Sequence, residues 1–440
     1  MRASKLHLLS TLNSMRTPKL SDAARMSSPF CKAAEPCVAL ILLHLNLAVY
    51  KYLWTTSQLT LQSKILTSNS SPSSHDPALK ERIMTLTNTL LHLTNFRNPF
   101  LRTLVPSVSA AFAIQAAVAI PSILAQSERF YDLSGSLTYL SVTALSLYLP
   151  TIRARAAASI AGKALPQWPK IADAFTGTGG PNGLNWRQVV LSVAVSIWAT
   201  RLGTYLFQRI LSDGHDSRFD EIKKSPPKFL GAFLAQATWV SLCLMPVLAI
   251  NSIPHSLLST LPTLLTTDVL GLLLYTFGLG FEMLADRQKS QWVKEKKEKT
   301  HDEEFLTRGL WAKSRHPNYF GESTLWVGIA TLSAGVLAGR VGQVGMRTAG
   351  WGPAGSVAGV LLAGVSPAFV TFLLLKVSGV PLSENKLGER DFNGALDRIF
   401  PTRTGVSVDW TLTRWTGVQD GIAKLAIIFI FAPDVLGMVF

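Results

Sequence analysis

Residues 264–289 read LLTTDVLGLLLYTFGLGFEMLADRQK. Between Leu264 and Ala285 the only charges are Asp268 near the start and Glu282 near the end. As a helix this run is long enough to cross roughly 30 Å of hydrocarbon. A helix is the expected form, because lipid offers a backbone no hydrogen-bond partner outside its own segment. Comparable apolar runs occupy 103–125, 133–151, 186–206, 229–250, 322–340 and 355–376. The fold class expected is therefore all-α: a polytopic transmembrane helical bundle of about seven core spans. Further spans are expected at 38–54 and 422–440. The alternating pattern of a membrane barrel is absent.

Composition agrees. Apolar residues make up 48% of the chain and charged residues 16%, with a mean hydropathy of +0.26; a soluble chain carries roughly 25% charge. The net charge of +15 would suit nucleic acid if it formed a basic face interleaved with aromatics on a soluble fold. Here the basic residues flank apolar runs, where they fix topology and meet lipid headgroups. The expected partner is the bilayer, not nucleic acid. Cys31, Cys37 and Cys243 are scattered, without metal-ligand spacing or a disulfide framework. No metal is expected, and Cys243 reads as packing.

Residues 1–36 are basic and Ser-rich, as in a transit peptide or a disordered cytosolic tail; the apolar run that follows at once favours the tail. Residues 37–99 hold a first span and a Ser/Pro linker at 66–80, LTSNSSPSSHDPALK. The main membrane domain is expected over 100–390, and a C-terminal extension with an apolar tail over 391–440. Residues 251–263 carry no Lys, Arg, Asp or Glu and read as a short hairpin between two spans. Its flanks, 207–228 and 286–316, are rich in Lys and Arg and so should face the cytosol. The segment 152–185 disagrees, placing Arg153, Arg155, Lys163 and Lys170 on the far side.

Four polar clusters converge on the cytosolic side. WATRLGTYLFQRILSDGHDSRFD (198–220) puts Arg201 at membrane depth, either snorkelling to the interface or lining a polar pocket. GFEMLADRQK (280–289) places Glu282, Asp286 and Lys289 on one helix face. Glu282 is a functional candidate by its depth, with internal ion pairing as the alternative. SRHPNYFGE (314–322) sets Pro317 at a helix start, where backbone N–H groups and Arg315 suit an anion. Asn318 and Glu322 share a face there; capping explains Pro317 and Asn318 but not the adjacent Arg, His, Tyr and Glu. The fourth is SGVPLSENK (378–386). The run KEKKEKTHDEE (294–304) reads as a solvated charged loop. No G-x-G-x-x-G follows a strand and no P-loop occurs, so a nucleotide would have to be held by side chains in a helical cavity.

The blocks W-x-x-R-L-G-x-Y-L-x-x-R-I, D-x-R-F-D, A-D-R-Q-K and S-R-H-P-N-Y-F-G-E, in that order, resemble the membrane reductases that share the steroid 5α-reductase C-terminal domain. These are related to sterol C14-reductases and, more distantly, to isoprenylcysteine carboxyl methyltransferases. The resemblance covers roughly 100–390. It implies NADPH in a cavity open to the cytosol, residence in the endoplasmic reticulum membrane, and hydride transfer to an activated C=C bond of a lipophilic, steroid-like or enone substrate. Carried onto matching positions, Asp286, Asn318 and Glu322 would hold adenosine or nicotinamide, with Lys289, Arg315, His316 and Tyr319 alongside. Arg201, Arg209 and Arg218 would meet phosphate. Tyr319 and Glu282 are the catalytic candidates for the acid that hydrogen-bonds the carbonyl as hydride arrives.

The chain departs from that family after P-L-x-E-x-K, running into GERDFNGALDRIFP and an apolar tail. Two alternatives therefore stand beside the reductase: an S-adenosylmethionine-dependent methyltransferase using the same R-H-P-N-Y block, and a non-catalytic membrane protein that keeps the fold.

Overall fold

A computed structural model of the chain describes residues 77–176, 180, 183–303 and 305–380. The tail 1–36, the expected spans at 38–54 and 422–440, most of the Ser/Pro linker and the segment beyond 380 lie outside the described residues. All described residues fall in one compact unit.

Eight long helices make up the unit: α1 (Pro77–Leu93), α2 (Pro99–Leu124), α3 (Tyr131–Ile160), α4 (Trp186–Asp213), α5 (Pro226–Ser252), α6 (Thr266–Lys297), α7 (Pro317–Leu337) and α8 (Pro353–Phe372). No strand occurs among the described residues. Their ends follow local chemistry. Asn98 accepts from the N–H of Phe100 at 2.9 Å, and Asn185 and Gln188 form a reciprocal capping box. Proline opens α2, α5, α7 and α8, where its missing N–H costs nothing. Gly214, at φ +80, ends α4.

Helices cover all seven expected core spans, and six of them are long and apolar enough to cross a membrane. The exception is α3. It is long enough, but it is Ser/Thr-rich, and its polar groups turn inward. Thr138 accepts from Gln115 at 2.8 Å, Ser134 donates to Gln115 and Gln236, and Ser146 accepts from Asn251 at 2.9 Å. Such inter-helix bonds are the form in which polar residues are tolerated inside a membrane bundle.

Contacts between neighbours fix an up-and-down arrangement. One end gathers the α2–α3, α4–α5 and α6–α7 connections, through Arg209–Asp132 and Lys297–Asp213. The other gathers Asn251, Gln188, the α6 start and residues 337–346, through Arg187–Asp268, Gln188 to Ile253 and Asn98 to Met346.

Half of the basic residues in the segment 152–185 are structural, while Lys163 and Lys170 stay exposed in the connection. Arg153 and Arg155 belong to α3 rather than to a loop. Arg153 donates to the carbonyls of Leu91 (2.5 Å), Thr94 (3.0 Å) and Arg102 (3.1 Å), and Arg155 donates to Pro166 and lies 5.0 Å from the Trp168 ring. Two charges that counted against the topology are thus fixed structural donors at a helix end. Arg153 also tethers α1, a helix in the region expected to hold the first span and the linker.

The α6–α7 pair is the closest in the bundle. Gly271 and Gly278 on α6 face Gly328 and Gly321 on α7. A Cβ on Gly328 would lie 2.5 Å from the Tyr275 nitrogen, and one on Gly321 would lie 2.6 Å from that of Glu282. The seven-residue spacing on both helices keeps the small residues in one seam, so the backbones touch along its length. At one end of that seam lie Glu282 and Glu322.

Candidate functional site

The site begins with Arg201 on α4. Its Nη1 donates to Asp286 Oδ2 at 2.9 Å and its Nη2 donates to Glu282 Oε1. Glu282 and Asp286 are one turn apart on α6, so a single guanidinium bridges both. Glu322, on α7 beside Gly321, lies within electrostatic reach of Arg201, Asp286 and Glu282. The missing side chain at Gly321 is what lets α7 bring Glu322 up to α6. Glu282 is only 3% exposed.

This cluster is unbalanced. Three carboxylates surround one arginine, and Glu282 Oε2 and Arg201 Nε have no hydrogen-bond partner. Buried polar groups are normally satisfied, and leaving one unpaired costs about 1–3 kcal/mol. The carboxylates can accept from hydroxyl or amide N–H groups of a ligand. Asn318, one turn before Glu322, adds a buried carboxamide oxygen that also lacks a partner.

Next to the carboxylates lies an aromatic nest. Tyr139, Trp198, Trp239 and Trp326 come from α3, α4, α5 and α7. The Trp198 and Trp326 ring centroids are 4.9 Å apart, and Tyr139 lies 5.1 Å from Trp198 and 5.3 Å from Trp239. Trp198 precedes Arg201 by three residues and Trp326 follows Glu322 by four, so each ring shares a face with a charged group. Both indole N–H groups are buried without an acceptor. Of these rings only Trp198 stood in a block singled out from the sequence. Tyr139, Trp239 and Trp326 occur in runs read simply as spans. Cys243 is buried in the core, as its apolar run suggested.

Toward the end of the bundle the charges pair off. Arg218 binds Asp216 at 2.6 Å and Asp132 at 3.4 Å, and Arg209 binds Asp216 at 3.2 Å. Burial pushes the Asp216 carboxyl up, but the hydrogen bonds and charge of Arg218 outweigh it and hold it below its ordinary value. Arg209 and Arg218, expected to meet phosphate, are therefore committed to carboxylates. Lys289 stands 5.2 Å from the Trp311 ring, in the charge field of Asp286 and Arg209. The Trp311 indole donates to the Ala285 carbonyl at 3.0 Å, and the Leu310 N–H donates to Gln288 at 2.9 Å. The connection after α6 thus folds back over the cluster's outer edge.

The S-R-H-P-N-Y block lies where expected, at the start of α7. His316 and Tyr319 stack, with centroids 4.9 Å apart and planes 6° from parallel. The structure thus joins Arg201, Glu282, Asp286 and Glu322 directly, with Asn318 and Lys289 one turn away along their helices. Arg209 and Arg218 form a separate rim. Arg315, His316 and Tyr319 stand at the α7 start. Of the fourth block only Ser378, Gly379 and Val380 are described; they follow α8 at the same end, where Thr371 meets Ser323.

A family model described as a protein of unknown function (DUF1295) matches residues 170–346, which include Arg201, Glu282, Asp286, Asn318 and Glu322. No curated protein and no solved structure matches the chain.

Proposed function

We propose that the chain is a membrane-embedded, NADPH-dependent reductase of a C=C bond in a lipophilic enone-type substrate. The observation that carries this is the Arg201–Glu282–Asp286–Glu322 cluster, built from three helices at one end of a membrane bundle and holding buried polar atoms without partners. The matched family is related to steroid 5α-reductase-like membrane proteins, which supports the choice of chemistry.

The donor set fits a dinucleotide in part. Asp286, Glu322 and Asn318 are acceptors suited to ribose hydroxyls and a carboxamide N–H. Lys289, on α6 three residues after Asp286, is a cation for phosphate; Arg209 and Arg218 would have to release carboxylates to reach it. The bound nicotinamide would supply a hydride. The protein's share is to orient the ring, exclude water and hydrogen-bond the acceptor carbonyl. That last role requires a proton on Glu282 Oε2, which is buried and unpartnered, whereas the Tyr319 ring is stacked on His316. The basic 207–228 and 286–316 connections lie at the site's end, which supports a cytosolic orientation; residence in the endoplasmic reticulum membrane is what the resemblance implies.

One feature favours a second assignment. A carboxylate excess beside four aromatic rings also suits a sulfonium cation, as in an S-adenosylmethionine-dependent methyltransferase. Thermal shift of the full chain in detergent separates the two. A ligand present at one hundred times its Kd adds about 2.7 kcal/mol to stability. NADPH should raise the Tm and S-adenosylmethionine should not. The reverse result selects the methyltransferase, and no response to either removes both.

A further inference from the structure

A second feature stands at the same end of the bundle, outside the carboxylate cluster. A cleft of ≈ 360 Å³ opens between the turn joining α2 to α3 and the loop after α4. Its wall includes Ser127, Glu128, Arg129, His215 and Lys223. Glu128 is the acid in this wall, and its capacity is already used. Its Oε1 accepts from the Asp216 N–H at 3.1 Å, and Lys223 Nζ lies 3.3 and 3.1 Å from its two oxygens. That pairing stitches the two connections together and makes the cleft a fixed feature. Arg129 and His215 are different. Both are exposed, and among the described residues neither side chain has a hydrogen-bond or ion-pair partner. Two unspent donors thus face a cleft whose acid is neutralised.

The apolar surroundings narrow the choice of ligand. Leu124, 81% exposed, ends α2 just before the cleft; Phe130, stacked 6.2 Å from Phe207, stands just after it, and Leu211 follows Ile210 of its wall. A polar cleft with a guanidinium and an imidazole as free donors, set at the edge of membrane-length helices and skirted by exposed apolar side chains, matches an amphiphile with an anionic head. At about 30 Å³ per water, the volume has room for a phosphate and part of its hydration shell. The charge of Arg129 suits bidentate phosphate contact.

We propose that this cleft binds the phosphate headgroup of an anionic phospholipid through Arg129 and His215, with the acyl chains along Leu124, Phe130 and Leu211. The site is separate from the proposed cofactor site, because the Arg209–Asp132–Asp216–Arg218 rim between them is internally paired. It does not depend on the catalytic assignment. Lys223 contributes field rather than a free donor: its hydrogen bond to Glu128 keeps the ammonium charged above its ordinary range.

The test uses the full chain purified in detergent with equal amounts of phosphatidylcholine and phosphatidic acid, and native mass spectrometry to count retained lipid. Phosphatidic acid should be retained about tenfold over phosphatidylcholine, the factor given by one charge-assisted hydrogen bond. The double variant Arg129→Gln/His215→Gln should fall to parity with an unchanged Tm in lipid-free detergent, while Arg340→Gln at the other end keeps the preference. If the double variant does not fold, Arg129→Gln alone should reduce the preference severalfold. Equal retention of both lipids, or full preference in the folded variants, overturns the proposal. So does inorganic phosphate raising the Tm as much as phosphatidic acid, which marks a free-anion site, or displacement of the lipid by NADPH, which marks a cofactor subsite.

Discussion

Replacing Arg201 with Met keeps an unbranched apolar stem and removes the one cation that bridges Glu282 and Asp286. Three carboxylates would then face each other without it. Breaking a buried pair by removing one partner costs about 3–5 kcal/mol, because the other charge is left uncompensated. Arg201 is 18% exposed and Asp286 19%, so some water reaches the pair and the low end applies, about 3 kcal/mol. At about 2 °C per kcal/mol for a large domain, the Tm should fall by roughly 6 °C. Adding Glu282→Gln removes the deepest stranded charge and should recover about half of that loss, the mark of coupled neighbours. The assay is thermal unfolding of the three variants in one detergent. Arg187→Met is the comparator. Arg187 and Asp268 form a bridge at 2.7 Å with both side chains buried, and Arg187 also donates to the Pro262 carbonyl at 2.8 Å, so both Asp268 oxygens have partners. Its loss should cost at least as much stability yet leave the NADPH-induced Tm shift intact, while Arg201→Met should abolish that shift. A change of less than ~1 °C in Arg201→Met, or a double variant no better than the single, would refute the coupling.

Other expectations follow from the same geometry. Gly278→Val should separate α6 from α7, lowering the Tm by several degrees and removing any ligand response, while Gly280→Ala, where a Cβ meets nothing within 4 Å, should be neutral in the same assay. Asn318→Ala should leave the Tm unchanged and weaken NADPH binding; unfolding would point to a structural role. Glu128 and Asp216 have folded values below their ordinary 4.5 and 3.8, so the stability they lend is present above those values and lost as pH falls through the lower folded ones. Limited proteolysis of the 214–224 loop should therefore stay slow from neutral pH down to about 4 and speed up below it; a Glu128→Gln variant should be cut faster already at neutral pH.

The helices were legible because lipid leaves a chain few options: apolar length alone placed seven of them. What sequence could not reveal was which way α3 turned its hydroxyls, since Ser and Thr at membrane depth look alike whether they meet Gln115 or lipid. The roles of Arg153 and Arg155 were hidden for a related reason. Charge counting treats an arginine as free, whereas these two are absorbed by carbonyls that become neighbours only after folding. In the site, Glu282 and Asp286 were readable from one helix's spacing, and Arg201 from its depth. The arginine's partners were not, because they lie more than eighty residues away along the chain. The same holds for Arg209 and Arg218, whose carboxylate partners include Asp132, in the first turn of α3, which no block covered. The aromatic nest was missed because a tryptophan inside a span carries no signal of its own until a second ring is seen beside it.

Direct binding of NADPH to the full chain and to its Glu322→Gln variant, measured in the same nanodiscs, addresses the central proposal most directly. Saturable binding to the parent protein, at least tenfold weaker in a variant of unchanged Tm, is the predicted result; about 1.4 kcal/mol is all that such a factor requires. Identical affinity in both proteins, or no saturable binding to the parent, would contradict it.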